Sequence, residues 1–147
     1  MNEKTMPITP TNQLGLDKVS HQTEQPTIRQ LVSKDYKQIH FGRIYGTRSG
    51  DKGGCANLGV WAKTDRAFEF LYHFLTVDQL KKLLPDMANF PIDRYELANI
   101  KSLNFYIHGI LQDGVSSSTR MDAQAKSLGE YLRAKLIDVP VEIIEEL

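Results

Sequence analysis

Four glycines, two cations, one carboxylate and one side-chain amide fall within the thirteen positions Thr47–Gly59. Glycine accepts positive φ and lets other groups come close to the main chain, so a loop of this composition can aim several N–H groups at one point. Arg48 and Lys52 add positive charge beside them. The stretch therefore suits an anionic or carbonyl-bearing ligand. The plainer alternative is a long hairpin connection with Asp51 and Lys52 solvated. It is not a nucleotide-binding phosphate loop, because Asp51 separates Gly50 from Lys52 and Gly53 follows the lysine. Nor does it hold a Gly-x-Gly-x-x-Gly fingerprint.

Regular structure is expected on both sides of this stretch. Ile39–Tyr45 is β-branched and aromatic and ends at Gly46, which predicts a strand leading in; Asn57–Lys63 predicts a strand leading out. Phe68–Leu84 has helical spacing, with Thr76-Val77-Asp78 as a break and fresh N-cap and Pro85 as a stop. Asp93–Leu97 and Ser102–Leu111 predict two more strands. In the second, Leu103, Phe105 and Ile107 alternate with Asn104, Tyr106 and His108, giving one oily and one partly polar face. Asp113-Gly114 signals a turn and Ser116–Thr119 supplies N-caps. Met121, Ala125, Leu128, Leu132 and Leu136 then form one stripe of an amphipathic helix. Val139–Ile144 predicts a last strand, with Pro140 at its start or on an edge.

The order strand–strand–helix–strand–strand–helix–strand predicts an α+β, ferredoxin-like sandwich. In it two helices cover one face of an antiparallel sheet, and one extra N-terminal strand is added. Residues 1–37 hold Pro7, Pro10 and Pro26 and few large apolar side chains. They are expected to be a flexible polar extension with at most a helical turn around Ile28–Val32, leaving 38–147 as the folded domain.

Length and charge bound the functions. The 147 residues fit one domain, and 18 basic against 18 acidic side chains leave no net field to attract nucleic acid. No apolar run reaches the ~20 residues of a membrane span and no signal-peptide pattern is present, so a cytoplasmic protein is expected. With one cysteine, Cys55, there is no internal disulfide, and four scattered histidines offer no metal-ligand spacing.

Three clusters carry the candidate chemistry. The first is the glycine-rich stretch. The second is Asn104 with His108, four apart on a strand and so on one face, where His108 is a candidate acid or base or a hydrogen-bonded structural residue. The third is Ser118–Lys126: Asp122 and Lys126 are spaced as a helical ion pair, and Arg120 at a helix start suggests an anion to meet. The plainer reading of Arg120, Asp122 and Lys126 is a solvated helix face. Cys55 lies near two cations, but is read as a small residue filling a tight turn.

Taken in order, Arg48-Ser49-Gly50-Asp51-Lys52-Gly53, Ala56-Asn57-Leu58-Gly59-Val60, Arg94-Tyr95-Glu96-Leu97, Leu103-Asn104-Phe105 and Thr119-Arg120-Met121-Asp122 with Lys126 resemble the small ferredoxin-fold domain of the acyclic terpene utilisation A (AtuA) family. The resemblance spans about 42–140. It implies a free-standing version of a domain that often follows a larger one, in bacterial catabolism of acyclic terpenes and related branched acyl-CoA compounds. Two departures stand out: Ala125-Lys126 replaces a Gly-Lys pair, and Gln112-Asp113-Gly114 replaces a Gly-Gly turn. At a helical position, Ala125 would be harmless.

Three functional expectations follow. In the first, the chain is the small subunit or accessory domain of an acyl-CoA-processing assembly, partnered by a larger AtuA-family protein or by copies of itself. Arg48, Ser49, Asp51, Lys52, Asn57, Asn104, Arg120, Asp122 and Lys126 then form a polar cluster facing a partner or an anionic ligand. In the second, it is a self-contained homodimeric hydro-lyase or hydrolase for acyl-CoA thioesters, with Asp122 or His108 as acid/base. In the third, Asp51, Lys52, Arg120 and Asp122 form an ion network that fixes a loop. No cofactor is expected beyond an acyl-CoA ligand.

Overall fold

The computed structural model describes residues 27–31, 33–111 and 125–147. Two antiparallel sheets carry the architecture. The larger has four strands: β2 (Gly46–Lys52), β3 (Cys55–Trp61), β4 (Ile92–Leu97) and β5 (Ser102–Ile107), in the spatial order β2-β3-β5-β4. The smaller pairs β1 (Tyr36–His40) with β6 (Leu136–Pro140). Helices α1 (Asp65–Phe74), α2 (Val77–Leu83), α3 (Leu128–Arg133) and α4 (Val141–Ile144) complete the described chain. The expected α+β, ferredoxin-like class is what the molecule has. In the four-stranded sheet β2 occupies the edge beside β3, and the final strand leaves that sheet to pair with β1.

Side-chain alternation separates the two faces of the larger sheet. Ala56, Leu58 and Val60 of β3 lie across from Ile107, Phe105 and Leu103 of β5, and all six are fully buried. Leu71 from α1, Leu75 at its C-terminal cap and Leu80 from α2 join them in the core. Both helices begin on threonine caps: Thr64 Oγ1 accepts from Ala67 N and Thr76 Oγ1 from Gln79 N. The expected break at Thr76 is thus a true restart, and Pro85 opens a single 3-10 turn after α2.

Several expectations are corrected. Thr47–Gly59 is not a loop but most of a hairpin, whose turn is only Gly53-Gly54, with Lys52 opposite Cys55. Gly53 has φ +65°, the conformation a two-residue turn requires at its first central position. Ile39–Tyr45 is not one strand: a 3-10 turn at Phe41–Arg43 interrupts it. That turn brings Phe41 and Tyr45 to one side, their ring centres 4.7 Å apart in the core.

Strand β5 ends at Ile107 rather than Leu111, because Gly109 turns the chain at φ +67°. The stripe through Ala125 and Leu136 is not one helix. Ala125 sits in the left-handed region at φ +52° before α3 starts, and Leu136 is an exposed residue of β6. Val139–Ile144 is not a strand either, since Pro140 ends β6 and serves as N-cap of α4. At the N-terminal side Ile28–Leu31 are irregular rather than helical, and Tyr36 and Lys37 already belong to β1. Met121, Asp113-Gly114, Ser116–Thr119, Val32 and most of 1–37 lie outside the described residues.

Candidate functional site

No described helix packs on the second face of the larger sheet. The strand register lays its side chains out in transverse rows. The first row is Gly46, Trp61, Ser102 and Leu97; the second is Arg48, Gly59, Asn104 and Tyr95; the third is Gly50, Asn57, Tyr106 and Asp93. Lys52 and Cys55 start a fourth row, and His108 lies just beyond the end of β5. This face runs from an aromatic end at Trp61 to an ionisable end at Lys52 and His108.

Its middle is shallow and polar. Gly59 and Gly50 present no side chain, and between them Asn57 Nδ2 donates to Asn104 Oδ1 at 3.5 Å. Arg48 flanks this amide pair and is exposed, as is Lys52. Neither cation has an ion-pair partner among the described residues. Four residues along one strand separate them by about 14 Å, so they meet a ligand as two separated charges rather than as one pocket. At the aromatic end the Trp61 ring lies over Gly46 so closely that a Cβ there would be 2.1 Å from it.

The ionisable end is held together by four contacts. His108 Nε2 lies 2.8 Å from Asp93 Oδ2, across the β4–β5 pair. The rings of Tyr106 and His108 meet edge-on with centres 4.9 Å apart. The Tyr106 hydroxyl bonds the Cys55 sulfur, which holds its pKa above the ordinary phenol value, with desolvation adding to the effect. Gly109 N–H also donates to Cys55 Sγ, at 3.4 Å. Cys55 therefore lies on a strand and not in a turn. An imidazole held by a carboxylate has the arrangement a general base needs, on an open surface rather than in a closed cavity.

The sheet divides the residues singled out in the sequence. Arg48, Lys52, Asn57, Asn104 and His108 share the uncovered face. Ser49 and Asp51 point to the other side, where Ser49 Oγ donates to the Lys126 carbonyl at 3.1 Å and accepts from Gly129 N at 3.0 Å. Thr47 Oγ1 donates to the Gly129 carbonyl at 2.9 Å beside it. Ser49 thus ties β2 to α3 and to the backbone just before it, a packing role. Asp51 and Lys52 project to opposite faces, so they form no pair with each other. Arg120 and Asp122 lie outside the described residues.

Asp93, Tyr106, Tyr95 and Trp61 belong to the same face and were not singled out in the sequence. Alternation alone places them there once β3, β4 and β5 are paired in register. Among the described residues no group of three His, Cys, Asp or Glu side chains is placed to hold a metal ion. No described helix is long and apolar enough to cross a membrane.

Comparison with known proteins matches the family described as the AtuA ferredoxin-like domain over residues 39–138. No curated protein and no solved structure shows a significant match to the chain.

Proposed function

Because the chain belongs to the AtuA ferredoxin-like domain family, we propose that it acts as the small subunit or accessory domain of an acyl-CoA-processing assembly. Its uncovered sheet face is the surface that meets a larger AtuA-family protein or an anionic ligand. One observation carries the reading. Arg48, Lys52 and the Asn57–Asn104 pair stand on a face that no described helix covers, with both cations free of described ion-pair partners. Free cations beside a hydrogen-bonding amide pair suit carboxylate or phosphate groups, and the aromatic end supplies the apolar area that an interface needs.

The test is titration calorimetry of the full chain into a larger AtuA-family protein, and separately into an acyl-CoA thioester. Wild-type protein binds one of the two. An Arg48→Ala/Lys52→Ala variant that folds normally binds at least about tenfold more weakly. Binding to neither, or equal binding by the variant, refutes the reading.

A second reading, a self-contained hydro-lyase or hydrolase, rests on the 2.8 Å contact between His108 and Asp93. Purified protein that turns over no acyl-CoA thioester by itself removes it.

A further inference from the structure

Asn57 and Asn104 stand on the two central strands of the uncovered face, joined by one hydrogen bond from Asn57 Nδ2 to Asn104 Oδ1. That bond uses the donor of one amide and the acceptor of the other. Asn104 Nδ2 and Asn57 Oδ1 have no hydrogen-bond partner among the described residues. The pair therefore offers one donor and one acceptor to a ligand. Two glycines keep both amides open. A Cβ at Gly50 would stand 3.8 Å from Asn57 Oδ1, and one at Gly59 would stand 3.9 Å from Asn104 Oδ1.

The row through Asn104 extends this pattern across the sheet. It runs Arg48, Gly59, Asn104, Tyr95: a cation, bare backbone, an amide and a ring. Tyr95 is 52% exposed, so much of its ring is open to a ligand. Charge on the face is sorted by edge. Arg48 and Lys52 stand on β2, whereas Asp93, the acid of the three rows, stands on β4 and is bound to His108. An anionic group is thus drawn to the β2 side and held off the β4 side.

We propose that this row binds an adenine nucleotide, with the base on Tyr95, the base edge on the two amides and the phosphate at Arg48. One donor beside one acceptor is what an asparagine amide presents to the N6/N7 edge of adenine. Bases also stack on exposed aromatic rings. Three strand spacings put Arg48 and Tyr95 about 14 Å apart at the backbone. A nucleotide and the long arginine side chain fill that span together. Two cations on the face, with no net charge on the chain, are too few for a polynucleotide, whose affinity rests on many phosphate contacts. The inference rests on the proposal that this face meets an anionic ligand, and it names the class. A free nucleotide and the adenosine end of a coenzyme A thioester share the chemistry.

Titration calorimetry of the full chain with ADP, coenzyme A and pyrophosphate tests it. At least one of the first two should bind. Pyrophosphate, which carries charge without a base, should bind at least about fivefold more weakly. Tyr95→Ala should weaken nucleotide binding by at least about fivefold, and Tyr95→Phe should retain it, both with the wild-type melting temperature. Given that dependence on Tyr95, binding of ADP alone identifies a free nucleotide as the source, and binding of coenzyme A alone identifies the coenzyme. Binding of both identifies the shared adenosine. Pyrophosphate that binds as tightly as the nucleotides overturns the proposal, as does a Tyr95→Ala variant that binds like wild type. Binding of neither nucleotide also overturns it. In that last case, association with a larger AtuA-family protein that is lost in Arg48→Ala/Lys52→Ala would leave the face an interface without a nucleotide site.

Discussion

The Trp61 ring rests directly on the backbone of Gly46, its cross-strand partner at the end of the β2–β3 hairpin. A methyl group at position 46 would overlap the ring, with a closest approach of 2.1 Å. Gly46→Ala should therefore push the indole into solvent and cost about 1–3 kcal/mol of stability. Trp61 is the chain's single tryptophan, so the displacement should appear as a red shift in its emission. An unshifted spectrum would mean that the ring does not lie where it is described.

Neighbouring residues on β5 should respond to truncation according to the face they occupy. Phe105 is fully buried, so Phe105→Ala should cost about 3–5 kcal/mol in urea unfolding. Asn104 lies on the uncovered face and shares one long hydrogen bond. Asn104→Ala should cost under about 1 kcal/mol, because solvent replaces the lost partner. Equal losses at the two positions would contradict the assignment of faces.

Alkaline pH should find out Tyr45. Burial pushes its pKa far above the ordinary phenol value, and its hydroxyl donates to the Ala67 carbonyl at 3.0 Å. A raised pKa means that the folded state holds the proton more tightly than the unfolded chain. Its contribution is fully present below about pH 10 and is lost as pH climbs beyond that. Tyr45→Phe should be less stable than wild type by about 1 kcal/mol at pH 8. The gap should shrink or reverse at pH 11, measured by urea unfolding at both pH values.

Ala125 offers a test of backbone conformation. If it were inside a helix, Ala125→Gly would cost about 1 kcal/mol in helix propensity plus about 0.8 kcal/mol for the buried methyl. At its observed φ of +52°, removing the Cβ instead relieves roughly 1–2 kcal/mol of steric cost. The substitution should then leave thermal stability close to wild type, while Ala125→Val should be clearly destabilising. Alanine at this place is therefore not the harmless helical residue that spacing suggested.

Legibility in the sequence followed side-chain chemistry closely. The apolar alternation of Leu103, Phe105 and Ile107 and the caps before α2 could be read, because burial and capping leave local marks. The β2–β3 hairpin was hidden, since Gly-Thr-Arg-Ser-Gly-Asp-Lys has almost no strand-forming side chains. What holds it in the sheet is remote: the ladder to Leu58 and Val60 and the hydrogen bonds from Thr47 and Ser49 to α3. The pair Gly53-Gly54 between two seven-residue arms was the available signal, being a two-residue hairpin turn. The 3-10 turn at Phe41 had no such mark, because it is imposed by the need to bury both Phe41 and Tyr45. For the candidate site, parity put Asn104 and His108 on one face, but Asp93 needed the β4–β5 register, a pairing between strands that no single strand encodes.

The β1–β6 ladder carries a mechanical consequence. Tyr36 faces Pro140 and His40 faces Leu136, so the chain enters the ladder and leaves it at the same end. Tension applied through residues 33 and 141 would act across the rungs rather than along them, opening the Tyr36–Pro140 rung before its neighbours. In a force spectrometer this clasp should peel at low load, and the four-stranded sheet should yield only afterwards, in a separate and stronger event.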